Sequence, residues 1–335
     1  MPNSLIEFAR AAQGALAPAD WDYLTEGALP GQAGGDNVHA WNALRVRPRV
    51  LRGVAQADIS TTVLGARISS PIFVAPNGRA TRYHPEGERA IVRATAAKGA
   101  GALLASSVGA SIGALRASAP NALLWSQLYI SGDRGFIKDR VELAHASGAG
   151  AIVLTVDLLP DANALKPPPL KPVAWETPKN GEPAPLFTGA SIDDLAWLCD
   201  ISPLPVVVKG VLRADDAAEC VAAGARGLIV SNHGGNQVQD AIASATALPE
   251  IVSACGGRAE IYVDGGIRSG ATILKAIALG ARAVMVGRPF SHALAVGGEQ
   301  GVAACLALLE HELQRAMLLC GASRVSDINR DLLAA

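Results

Sequence analysis

Two stretches place residue types that do chemistry where a strand would end. In LIVSNHGGN, from Leu228 to Asn236, an apolar, β-branched run stops at Ser231 and is followed by His233 and two glycines. In YVDGGIRSG, from Tyr262 to Gly270, a similar run stops at Asp264 and is followed by Gly265, Gly266 and Arg268. A buried parallel strand reads as a continuous apolar run whose end delivers side chains to a site. An imidazole titrates near neutrality and can take a proton from a hydroxyl or an amine. Glycines beside an arginine let backbone amides and a guanidinium close around an oxyanion.

For these groups to meet, the elements carrying them must converge. Short apolar runs recur at Pro71–Pro76, Gly101–Ser106, Leu123–Tyr129 and Ala151–Asp157, then at Pro205–Lys209, Gly227–Asn232, Glu260–Asp264 and Ala283–Arg288. Between most of them lie helix-like segments that end at glycine: Glu86–Gly99, Asp133–Gly148, Ala214–Gly224 and Ala271–Gly280. Glycine is the usual C-terminal stop of a helix. Strand and helix alternating eight times predict an α/β fold, a (β/α)8 TIM barrel, rather than an open doubly wound sheet. We expect one domain over 1–335 with an N-terminal helical extension over 1–60, which plugs or flanks the barrel. Helices from Ser4 and from Pro18 precede a Gly-rich break at 31–35, and Gly298–Cys320 reads as a long last helix. After the fourth strand, eight of the 20 prolines fall between Pro160 and Pro185. Missing amide donors argue against a regular helix there, so 158–190 reads as a lid over the carboxyl-end face.

Chemistry in this fold sits at the carboxyl ends of the strands. Those ends carry Pro76 and Asn77, Ser106, Gln127 and Tyr129, Thr155 and Asp157, Lys209, Ser231 and His233, Asp264 and Arg268, and Gly287 and Arg288. The loops after the seventh and eighth strands, Asp264–Gly270 and Gly287–Arg288, are where barrels often bind phosphate. Lys209 points a fixed cation into the mouth, and Ser106, Gln127, Thr155 and Ser231 could hydrogen-bond ring heteroatoms. Flavin mononucleotide (FMN) suits that inventory, and so does the sugar phosphate of an isomerase or lyase. Asp157 converges on the same mouth and could hold the imidazole of His233. The other histidines, His39, His84, His145, His292 and His311, read as structural.

Composition bounds the partners. A chain of 335 residues, 50% hydrophobic, with net charge −1 has no basic footprint for nucleic acid or anionic lipid. We expect no membrane partner, a small-molecule substrate and a cytoplasmic location, since the N-terminus lacks a signal-like apolar stretch. Five cysteines without a Cys-x-x-Cys pair read as buried free thiols.

The motifs Ser231–Gly235, Asp264–Arg268, Gly287–Pro289, Thr155–Asp157, Gln127–Tyr129 and Pro205–Gly210 resemble, in order, those of the FMN-dependent α-hydroxy acid dehydrogenases and oxidases. The resemblance runs from about Trp21 to Arg324. It implies FMN as cofactor, an electron acceptor such as dioxygen, and a homo-oligomer. It makes His233 the catalytic base and Asp157 its partner, with Tyr129 and Tyr23 facing the substrate. Lys209 would sit by the flavin, with Ser106, Gln127, Thr155 and Ser231 around its ring. Ala75, Pro76 and Asn77 would form the first-strand contact. Asp264, Gly265, Gly266, Arg268, Gly287 and Arg288 would hold the phosphate.

Two departures bear on the substrate. Where the family has an arginine after His-Gly-Gly, this chain has Asn236, and a second family arginine aligns near Ala164. A charge-assisted bidentate contact contributes about 1.5–3 kcal/mol that an amide cannot match. Small 2-hydroxy acids should therefore bind poorly, and a larger substrate oxidised at C–OH or C–NH2 is expected. The His-Gly-Gly-Asn context is similar to a subgroup of the pre-mycofactocin synthase type that acts on an amine. Arg45, Arg47, Arg79, Arg82 or Arg134 could replace the lost cations, Arg79 and Arg82 being best placed. A conventional 2-hydroxy acid oxidase and a phosphate-binding isomerase or lyase are the alternatives.

Overall fold

The computed structural model describes residues 1–25, 33–106, 110–158, 189–238 and 240–334. Three helices open the chain: α1 (Leu5–Ala15), α2 (Pro18–Thr25) and α3 (Ala33–Ala43). Ser4 caps α1 by accepting from the Glu7 amide, and Leu5, Phe8 and Ala12 form its buried stripe at helical spacing. Pro18 starts α2, where its missing N–H costs nothing. A hairpin of β1 (Thr61–Val63) and β2 (Ala66–Ile68) follows, its turn formed by Leu64 and Gly65 at positive φ. Val63 and Ile68 pack with the inward-facing Phe73, Trp125 and Tyr262, so the hairpin closes the amino end of the barrel. This hairpin follows the expected 1–60 extension, and the sequence pattern did not mark it.

The barrel strands are β3 (Ile72–Val74), β4 (Gly101–Leu104), β5 (Leu123–Leu128), β6 (Ala151–Thr155), β7 (Val206–Val211), β8 (Gly227–Val230), β9 (Glu260–Val263) and β10 (Ala283–Val286). All pair in parallel with their sequence neighbours, and β10 pairs with β3 to close the ring. Each expected strand is present. The helices between them are α4 (Gly87–Lys98), α5 (Ile112–Ser118), α6 (Arg134–Ala146), α7 (Ile192–Ile201), α8 (Ala214–Ala222), α9 (Ser244–Cys255) and α10 (Gly270–Ala278), and α11 (Arg288–Leu319) completes the set. The last begins ten residues earlier than expected and breaks at Gly297 and Gly298, where the backbone leaves helical geometry. Its first turn therefore starts directly after Gly287, at the mouth of the barrel. By length and composition α11 could cross a bilayer, but it packs against α1, α4 and α10 and half of its apolar window is buried. All five cysteines are free thiols, four buried and Cys199 half-buried. The expected lid lies almost wholly in 159–188, outside the described residues.

One irregularity positions the chemistry. The β7–β8 register shifts between Lys209 and Val211 at Gly210, whose φ is +113°. A Cβ there would lie 2.6 Å from the Asp157 side chain, so only glycine lets the bulged strand approach that carboxylate.

Candidate active site

The carboxyl ends of the strands surround a cavity of about 390 Å³. Its wall contains Ala75, Pro76 and Asn77 after β3, Ser106 after β4, Gln127 on β5 with Tyr129 just after it, and Thr155 on β6. Lys209 on β7, His233 and Asn236 after β8, the loop Asp264–Arg268, and Gly287 with Arg288 complete it, and Tyr23 reaches it from α2. Two of the expected residues, Asp157 and Ser231, stand behind the wall rather than on it.

At one pole the imidazole Nδ1 of His233 lies 2.9 Å from Asp157 Oδ1. Burial pushes the Asp157 carboxyl up, but Lys209 and His233 outweigh it and hold the carboxyl below its usual range. An ionised Asp157 accepts, so the neutral imidazole carries its proton on Nδ1 and keeps its lone pair on Nε2. Lys209 is buried; burial alone would lower its pKa, yet Asp157 and Asp264 raise it, so it stays charged. Its Nζ donates to Ser231 Oγ at 3.0 Å and lies 3.5 Å from Asp264 Oδ2. Ser231 Oγ also accepts the His233 amide at 3.0 Å. Ser231 is thus a brace between Lys209 and the histidine turn. His233 itself has φ +57°, a strained conformation for a residue with a Cβ. Tyr129 is pushed upward by burial, with Asp157 and Tyr23 adding to the effect.

At the other pole stand Arg268 and Arg288, both half-buried. Burial and the neighbouring Arg288 bring Arg268 down to about 10, and burial likewise lowers Arg288. Arg288 Nε donates to the Leu24 carbonyl at 2.9 Å, while its Nη2 is buried without a partner. The amino terminus of α11 starts at Arg288, and exposed helix amides favour an anion. Ser106 Oγ and Asp264 Oδ1, on the same wall, are also buried without partners. Two half-buried guanidiniums, a helix terminus and orphaned polar atoms around one cavity are what a nucleotide phosphate and a heteroaromatic ring would satisfy. These residues fit FMN. His292 stacks on Trp21 at 5.5 Å, and burial, with Arg268 and Arg288, lowers it to about 4. It is neutral at pH 7.

The sequence reading missed Asn37. From α3 its amide exchanges two hydrogen bonds with Asn232, at 2.7 and 3.1 Å, and its Oδ1 also accepts from the Ser244 amide. Asn232 Oδ1 in turn caps the Gly235 amide, closing the 3₁₀ turn that presents His233. Cβ atoms on Gly265 or Gly266 would lie within 3.0 Å of Asn37, so the paired glycines also make room for α3. No local pattern marks an asparagine whose partner is 195 residues away.

The departures are structural as well. Asn236 Nδ2 donates to the His233 carbonyl at 2.8 Å and offers no charge to the cavity. The position near Ala164 lies outside the described residues.

Comparison with known proteins agrees with this arrangement. A family model described as FMN-dependent dehydrogenase matches residues 12–166 and 179–335. The chain is 40% identical to an L-lactate oxidase from Nostoc sp., covering 99% of this chain and 98% of that protein. It is 39% identical to 2-hydroxyacid oxidase 1 from Homo sapiens, covering 98% and 95%. Among solved structures, a mandelate oxidase superposes with a TM-score of 0.91 at 36% identity, covering 100% of this chain and 98% of the other.

Proposed function

The chain belongs to the FMN-dependent dehydrogenase family, and from that premise we propose that it oxidises the carbon bearing a hydroxyl or amine in a substrate larger than the small 2-hydroxy acids. Membership makes it an FMN-using oxidoreductase, of a family that acts on the CH–OH group of hydroxy acids. Bound FMN supplies a two-electron acceptor.

The chain's own residues would do the rest. Arg268, Arg288, the loop from Asp264 and the amino terminus of α11 would hold the phosphate. Ser106, Gln127, Thr155 and Lys209 would surround the ring, with Lys209 supplying a cation kept charged by two carboxylates. His233 Nε2 accepts the proton of the reacting hydroxyl or amine, because Asp157 already occupies Nδ1–H. The imidazolium so formed is stabilised by the adjacent carboxylate. Tyr23 and Tyr129 border the space where the substrate stands.

The observation that carries this reading is the 2.9 Å His233–Asp157 pair beside Asn236. The base is intact, while the position next to it holds an amide turned toward the backbone. The test is anaerobic bleaching of the FMN-loaded protein by glycolate, lactate and mandelate, against larger hydroxy and amino compounds. We expect bleaching by the larger set alone. Efficient turnover of glycolate or lactate would overturn the substrate assignment, and full activity in His233→Ala would overturn the base. A conventional 2-hydroxy acid oxidase is the second reading, favoured by near full-length identity of 39–40% to proteins named for lactate and 2-hydroxy acids.

A further inference from the structure

The arginines that could replace the missing guanidiniums separate cleanly in the structure. Arg45, Arg47 and Arg134 are exposed; Arg45 donates to the Asn42 carbonyl, and Arg134 pairs with Asp194 at 3.3 Å. Arg82 is committed to Asp20, with Nε 2.6 Å from the carboxylate, and its guanidinium lies 5.0 Å from the centre of the Tyr23 ring. Arg79 alone among them lines the cavity with a guanidinium that has no hydrogen-bond or ion-pair partner among the described residues. The cavity's other cations are occupied or grouped elsewhere: Lys209 bonds Ser231 and Asp264, and Arg268 and Arg288 sit at the phosphate pole.

Arg79 also holds φ +62°, a left-handed conformation that glycine adopts freely and that a Cβ makes costly. Backbone outliers of this kind cluster at ligand-binding places. Its neighbourhood is the substrate end. Arg79, Tyr23 and Tyr83 line the same cavity, and of the charges acting on the buried Tyr83 phenol Arg82 and then Arg79 oppose its rise. Arg79 follows β3 and His233 follows β8, and around the ring those strands are separated by β9 and β10.

We infer that Arg79 recognises an anionic group of the substrate, across the cavity mouth from His233; this rests on the oxidation proposed above. It defines a substrate class: hydroxy or amino compounds whose acid group lies several bonds from the reacting carbon, since the position beside the base has lost its charge.

The test uses the FMN-loaded enzyme and the perturbation of its flavin absorbance by pyruvate and by the dicarboxylic 2-oxo acids oxaloacetate, 2-oxoglutarate and 2-oxoadipate. One of the dicarboxylates should bind at least tenfold more tightly than pyruvate. Arg79→Gly relieves the left-handed strain, so its melting temperature should not fall, yet it should lose about 10- to 100-fold in affinity for that ligand. Arg79→Lys should keep part of it. The FMN dissociation constant of the apoprotein should stay within twofold of wild type in both variants. The inference is overturned if no dicarboxylate outbinds pyruvate, or if Arg79→Gly binds the dicarboxylate as wild type does. It is also overturned if Arg79→Gly weakens FMN instead, which would assign Arg79 to the cofactor phosphate. Binding is read without turnover, so a failure of the oxidation reading would appear separately, as flavin that no hydroxy or amino compound bleaches.

Discussion

Replacing Asp157 with asparagine isolates the charge that supports the base. The Nδ1···Oδ1 separation is 2.9 Å, so the charge centres of the pair in its imidazolium form lie about 4 Å apart. At an effective dielectric of about 20, that attraction is worth about 4 kcal/mol. Asparagine would keep a neutral hydrogen bond worth about 1 kcal/mol. The net loss of about 3 kcal/mol corresponds to a rate about 100-fold lower. Lys209 would retain Asp264 as a partner, so FMN should remain bound. Single-turnover anaerobic bleaching at saturating substrate reads the rate directly, and the visible spectrum reads flavin content in the same sample. A loss under threefold in a fully loaded variant would refute the assignment of Asp157 as stabiliser of the protonated base.

Three further perturbations follow from the same geometry. His292→Phe keeps a ring against Trp21 and removes a titrating group. Because folding lowers His292 from 6.5 to about 4, the unfolded chain binds the proton first, and the apoprotein should lose about 3 kcal/mol from this residue between those pH values. Denaturant titration at pH 7 and pH 4 should show a smaller drop in the variant, and an equal drop would place the acid sensitivity elsewhere. Asn236→Arg should raise kcat/KM for lactate and glycolate by about tenfold or more if the missing charge excludes them; no gain would mean that the cavity's shape decides. Asn37→Ala leaves Asn232 and the Ser244 amide without their buried partner, at about 1–3 kcal/mol each. Thermal melts should show that loss, together with weaker FMN retention; retention as in wild type would separate α3 from the phosphate loop.

The barrel was legible because each strand is a short apolar run bounded by glycine or proline, and a fully buried parallel strand needs little else. The four helices α3, α5, α7 and α9 were not. α5 spans only seven residues, and α9 carries Pro249 in its interior. α7 announces itself through a Ser191–Asp194 capping box, but directly after the proline-rich stretch that obscured its start. His233, Asp157 and Lys209 could be read because a polar residue at the end of a buried strand has few structural uses. Ser231 stands at such a strand end too, but the brace its hydroxyl makes with Lys209 and the His233 amide has no local signal in the sequence. Which arginine is free depended on Asp20, which lies on a different helix from Arg79 and Arg82 and whose partner no spacing rule identifies.

The amide pair between Asn37 and Asn232 also sets the smallest unit that could be moved to another protein. Excising the eight-stranded ring from Pro71 onward would strip α3 from the phosphate loop and leave the histidine turn without its anchor. A graft or chimera must therefore carry the first forty-odd residues along, and a donor barrel must bring its own matching helix rather than borrow this one.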